Sequence, residues 1–150
     1  MDDPSILYVE DNPAEARLLE RLFAGASPPR ALEVIDEGGE VLKRLRREGS
    51  YTVCAPADLV LLDLNLPDRP GLQVLAEIRS DPDPRVRATP VIVFTGSDHP
   101  DDVARSYAAG ANAFVCKPFR LEELEAFVAA VDAFWLQVAL GPSGVERGVP

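Results

Sequence analysis

Four short apolar runs, each ending in a residue that carries chemistry, constrain this chain more than any other feature. Ile6-Leu7-Tyr8-Val9 leads into Glu10-Asp11, and Leu59-Val60-Leu61-Leu62 into Asp63. Val91-Ile92-Val93-Phe94 leads into Thr95, and Ala113-Phe114-Val115-Cys116 into Lys117. Such Val-, Ile- and Leu-rich runs have the composition of strands covered on both faces, the habit of parallel sheets. In an open parallel sheet the carboxyl ends of the strands line the ligand crevice. The chain therefore offers one site with three carboxylates, a hydroxyl and a cation.

Electrostatics says what such a site needs. Two carboxylates about 5 Å apart repel by roughly 3 kcal/mol at an effective dielectric of about 20. Three together call for a cation, and hard oxygen ligands suit Mg²⁺ or Mn²⁺. A bound divalent ion would let a carboxylate meet a phosphoryl group, and carboxylates are known to form aspartyl-phosphates. The amine of Lys117 and the hydroxyl of Thr95 are suited to phosphoryl oxygens. Any one of these residues alone would more often be a plain strand cap.

Helical patterns separate the runs. Asn12-Pro13 reads as an N-cap and first helical residue, opening a helix over Pro13–Ala24 that Gly25 stops. A strand over Ala31–Asp36 follows, then a helix over Glu40–Glu48 that buries Val41, Leu42 and Leu45 and shows Lys43, Arg44, Arg46 and Arg47 to water. Residues Gly49–Ala57 read as a loop, and the third strand spans Asp58–Asp63. Pro67-Asp68-Arg69-Pro70-Gly71 is a turn before a helix reaching Ser80. A strand over Pro90–Thr95, a helix over Pro100–Ala109 and a strand over Ala113–Cys116 complete the alternation. Five strands alternating with helices predict an α/β, doubly wound, flavodoxin-like parallel sheet in the order 2-1-3-4-5. Cys116 reads as a small core hydrophobe, and His99, the one histidine, as a surface residue.

Length and charge narrow the function. The 150 residues suffice for one domain. A net charge of −10 argues against nucleic-acid binding, which wants a basic stripe. No apolar stretch is long enough to span a membrane, and Met1-Asp2-Asp3-Pro4 does not open a signal peptide, so a cytoplasmic protein is expected.

The segments Tyr8-Val9-Glu10-Asp11-Asn12, Leu61-Leu62-Asp63-Leu64-Asn65-Leu66-Pro67, Gly71, Phe94-Thr95-Gly96, Gly110-Ala111 and Lys117-Pro118-Phe119 together resemble the receiver domain of two-component response regulators. The resemblance covers about residues 5–133. It implies that Asp63 is the phosphoacceptor, and that Glu10, Asp11, Asp63 and the backbone carbonyl of Asn65 hold Mg²⁺ or Mn²⁺. It further implies that Lys117 binds the phosphoryl group, with Thr95 and Phe114 as the switch pair. A cis Lys117–Pro118 bond would aim the lysine. The chain is then a stand-alone regulator that signals by protein contacts rather than an enzyme, and its phosphoryl donor is a histidine kinase. A small phosphatase using an aspartyl-phosphate is the alternative, but such enzymes want a carboxylate where Asn65 stands. A flavodoxin-like electron carrier needs a phosphate-binding loop where Glu10-Asp11-Asn12-Pro13 would repel phosphate.

The C-terminal pattern is longer than a receiver requires. Leu121, Leu124, Val128, Val131, Trp135 and Val138 continue a helical stripe up to Gly141-Pro142. Phe134, Trp135, Leu136 and Val138 are expected at a subunit interface, forming a homodimer with the helix over 100–109 and the last strand. The alternative is that this extension folds back on its own domain. One domain over 1–140 and a disordered tail over 141–150 are expected. The C-terminal Ala133-Phe134-Trp135-Leu136 with Val138, the Glu-Asp-Asn opening and the loop Arg79–Pro90 resemble the small stand-alone regulators paired with phytochrome-type histidine kinases.

Overall fold

Alternation along the strands decides the architecture. The structure, a computed structural model, describes residues 3–142, with only the backbone of Val138. Strands β1 (Ile6–Val9), β2 (Leu32–Ile35), β3 (Leu59–Leu62), β4 (Val91–Thr95) and β5 (Ala113–Cys116) form one parallel sheet in the order β2-β1-β3-β4-β5. Side chains alternate between its faces. Leu7, Val9, Val60, Leu62, Val91 and Val93 face one core with helices α2 (Gly38–Arg46), α3 (Gly71–Arg79) and α4 (Pro84–Arg87). Ile6, Tyr8, Leu59, Leu61, Ile92 and Phe94 face the other, with α1 (Pro13–Ala24) and α6 (Leu121–Val131). Helix α5 (Pro100–Ala108) lies along β5 and buries only Ser106.

The predicted sheet order and strands hold to within a residue or two. Five local expectations need correction. Residues Gly49–Val53, expected as loop, form a 3₁₀ turn, and the one-turn α4 was not foreseen. Arg44 does not face water: at 1% exposure it donates Nε to Glu33 and Nη2 to Ser5 Oγ, so its partners carry it inward from a helix face that reads as solvated. Cys116 is exposed, because it sits on the sheet's edge strand beneath a helix too polar to cover it. Lys117–Pro118 is not cis; among the described residues the cis bond is Ser27–Pro28. The trans form is the ordinary preference of an X–Pro bond, by about 0.5–1 kcal/mol.

The C-terminal extension exists, but its geometry changes at Asp132. Residues Asp132–Val138 form a π-helical turn, which widens the helix and rotates the side chains that follow. Leu136, 1% exposed, thereby enters the core cluster that includes Phe23, Val128 and Val131. It is a core residue and not the interface anchor expected from the stripe. The buried Asp132 fixes this turn by accepting from Arg30 Nε at 2.6 Å and from Gln137. Phe134 is left 55% exposed, with the Trp135 ring edge-on at 5.4 Å. The expected tail falls almost wholly on 143–150, which lie outside the described residues, as does the side chain of Val138.

Candidate functional site

The four strand-end residues converge because the sheet is parallel and in register. Its ladder continues past each strand: Glu10 N donates to Ile35 O, Asp63 N to Val9 O, and Lys117 N to Thr95 O. By the same alternation, Glu10, Asp63 and Lys117 share the face toward α1 and α6. Gly71 lets α3 press against the floor of the site. A Cβ there would meet Asp63 O at 2.3 Å and Leu64 Cα at 2.7 Å, so no other residue fits without moving backbone.

Asp63 is buried and saturated with donors. Its Oδ1 accepts from Thr95 Oγ1 at 3.0 Å and from Asn65 N at 3.1 Å, and its Oδ2 from Lys117 Nζ at 2.8 Å. Thr95 therefore already points inward. Burial pushes the Asp63 carboxyl up, but the Lys117 and Asn65 hydrogen bonds outweigh it and hold the group below the ordinary range. Glu10, also buried, accepts from Lys117 Nζ, from the Tyr8 hydroxyl at 3.2 Å and from Asn12 N at 3.3 Å. Its burial wins over the lysine and pushes it up to about 7. Burial also works against the charge on Lys117, yet its hydrogen bonds to Asp63 and Glu10 raise its affinity for the proton. Beneath Lys117 the Phe94 ring lies 6.0 Å from Nζ and stacks on Phe127 at 4.4 Å, tying α6 to the site.

Two placements differ from the sequence reading. Asp11 is exposed and lines an open groove with Asn65, Leu66, Pro67 and Arg69, next in sequence to the buried Glu10. Glu15, which sequence reasoning missed, enters the cluster. Asn12 caps α1, its Oδ1 accepting from Ala14 N and Glu15 N, and this first turn brings Glu15 Oε2 to 3.1 Å from Lys117 Nζ. A carboxylate three residues after an N-cap is the only signal that marked it. Phe114 is half-buried and packs against the core of α2 and α3.

The charge of this cluster suits a divalent cation. Carboxylate oxygens of Glu10, Glu15 and Asp63 lie within 4.8 Å of one another. One lysine against three carboxylates leaves a formal charge of about −2, which a hard divalent ion would balance.

The chain is similar to known proteins in sequence and in fold. Residues 6–129 match the profile of the response regulator receiver domain. The response regulator Rcp1 of Synechocystis is 35% identical over 138 residues, 92% of each chain. The crystal structure of the phosphorylated cyanobacterial phytochrome response regulator RcpA superposes with a TM-score of 0.84 at 38% identity, covering 94% of this chain and 99% of that one. The Mn²⁺-bound form of Rcp1 gives 0.81 at 34% identity, covering 93% and 99%.

Proposed function

Because this chain belongs to the response regulator receiver-domain family, we propose that Asp63 accepts a phosphoryl group from a histidine kinase and relays the change through protein contacts. The observation that carries this reading is the meeting of Asp63, Thr95 and Lys117 from the ends of three strands. An Asp63 oxygen forms a bond to phosphorus as the phosphorus–nitrogen bond of a phosphohistidine breaks. The imidazole keeps the bonding pair and takes a proton from solvent. Lys117 Nζ and the Thr95 hydroxyl then hold phosphoryl oxygens.

Glu10, Asp11, Asp63 and the Asn65 carbonyl would hold Mg²⁺ or Mn²⁺, whose charge reduces the repulsion between carboxylate and phosphoryl donor. Likeness to RcpA and Rcp1 supports a phytochrome-type kinase as donor. The absence, among the described residues, of a helix able to cross a membrane fits a cytoplasmic role.

Thr95 and Phe114 form the switch. Since the Thr95 hydroxyl already reaches Asp63, phosphorylation strengthens an existing contact rather than creating one, and Phe114 repacks on the partly open face of β5. Self-association uses this face together with Phe134 and the half-buried Trp135, without Leu136. The test is phosphotransfer from a panel of labelled histidine kinases, a phytochrome-type kinase among them. Label should reach wild type and not Asp63→Asn; absence of transfer from every kinase and from acetyl phosphate would overturn the reading.

A further inference from the structure

Lys117 has three N–H donors, and three carboxylates take them: Glu10, Asp63 and Glu15. A phosphoryl oxygen can bind the ammonium group only by displacing one of the three. The candidates for release differ sharply. The Glu10 and Asp63 side chains are 1% and 7% exposed, so either would be left as a buried carboxylate short of a donor. Glu15 is 48% exposed, and water can replace the lysine at its carboxylate. Its position is nevertheless fixed, because Asn12 and Pro13 set the first turn of α1 and Glu15 N is itself bonded to Asn12 Oδ1 at 3.2 Å.

We propose that Glu15 is a positioning residue that holds the solvent-facing donor of Lys117 until an incoming phosphoryl oxygen exchanges with it. This deepens the reading of Asp63 as phosphoacceptor and rests on it. Glu15 keeps the lysine extended over Asp63 while the site waits. It also sets a threshold, since an anionic donor must compete with a resident carboxylate. Replacing Glu15 by Gln keeps an acceptor but removes its charge, and therefore eases the exchange.

The experiment is steady phosphorylation of the full chain by acetyl phosphate in saturating Mg²⁺. At low salt Glu15→Gln should lower the KM for acetyl phosphate about three- to tenfold with little change in the limiting rate. The difference should shrink as ionic strength rises, which loss of a merely structural contact would not produce. Glu15→Asp should restore much of the wild-type KM, and Glu20→Gln on the exposed side of α1 serves as control.

An unchanged or raised KM in Glu15→Gln overturns the proposal. So does a tenfold weaker Mg²⁺ affinity of Glu15→Asp by calorimetry, which, with the charge kept, would make Glu15 a metal ligand instead. Should wild type take up no phosphoryl group, the phosphoacceptor reading fails, and NMR of metal-free protein still decides the lysine contact. There the Lys117 side-chain nitrogen resonance should move in Glu15→Gln and not in Glu20→Gln; an unmoved resonance also overturns the proposal.

Discussion

The middle of the sheet and its β5 edge are built to different standards. Every residue of β1 and β3 is buried, and Glu10 and Asp63 continue those strands without leaving the interior. Along β5 three residues are half-buried and Cys116 is exposed, while α5 beside it contributes only Ser106 to the interior. The strands of the middle have helices on both faces, and such close packing leaves the carboxylates little room to shift. The edge has few apolar contacts, so small changes there cost little. Glu10 and Asp63 thus stand on the better covered part of the sheet, and Phe114, the proposed switch residue, on the less covered part. Lys117 and Thr95 join the two, since β4 and β5 end together over Asp63.

The sharpest break in this comparison is chemical. Asp63→Asn should abolish acetyl phosphate-dependent mass gain in the presence of Mg²⁺ while leaving the fold cooperative, because one buried carboxylate is replaced by an isosteric amide. Equal phosphorylation of the variant would move the acceptor elsewhere.

Next in size is the floor of the site. Gly71→Ala places a methyl group against backbone of Asp63 and Leu64, which cannot swing aside as a side chain could. A loss of about 3 kcal/mol is expected by urea denaturation, together with slower phosphorylation. Tolerance of alanine would show that the middle of the sheet is less rigid than its burial implies.

The C-terminal turn offers the comparison within five residues. Leu136→Ala should cost about 2–4 kcal/mol, as for a core leucine. Phe134→Ala should change stability by less than about 0.5 kcal/mol but shift self-association, read by sedimentation at tens of micromolar. The reverse order of stabilities would mean that the apolar stripe, not the π turn, decides which face is inside.

These cases show what the sequence made legible. The strands and their order could be read because a buried parallel strand is a continuous apolar run, and Asp63, Thr95 and Lys117 stand where such runs stop. Glu15 could not, since its role depends on the start of α1 meeting the end of β5, two segments about a hundred residues apart. Arg44 reads as surface by helical spacing, and only the nearness of Glu33 and Ser5 makes it interior. Leu136 reads as interface because period 3.6 fails through a π turn.

A smaller effect concerns pH. The Glu10 carboxyl titrates near 7 in the native protein against an ordinary 4.5. Between those values the native state binds more protons than the unfolded one, so Glu10 makes metal-free stability fall as pH rises from about 4.5 to 7, then level off. Asp63 acts oppositely: its native value is depressed, so its contribution is present above the ordinary carboxylate range and lost as pH falls through the native value. Glu10→Gln should remove the fall toward pH 7 and leave metal-free protein on the order of 2 kcal/mol more stable at pH 8. Added Mg²⁺ should stabilise wild type more at pH 8 than at pH 6. A metal-free stability that rises through this window would place the charge of Glu10 under the control of Lys117 rather than of burial.

The smallest expected effect tests the edge directly. Cys116 ends an apolar run like those of β1 and β3, and by pattern alone it belongs in the core. Its register partner Thr95 is fully buried, yet Cys116 is exposed, its thiol making one weak contact to Gly96 O at 3.8 Å. The difference comes from what covers each strand: β4 has a neighbour on either side, whereas β5 has one neighbour and a polar helix. Cys116→Ser should therefore change stability by less than about 0.5 kcal/mol, where Val93→Ser, two residues earlier on β4, should cost several times more. In native protein a thiol reagent should modify Cys116 readily and the half-buried Cys54 more slowly. Slow modification of both, with a large loss in Cys116→Ser, would mean that the edge is closed in solution, by a second copy or another partner, and the two parts of the sheet would then be equally well covered.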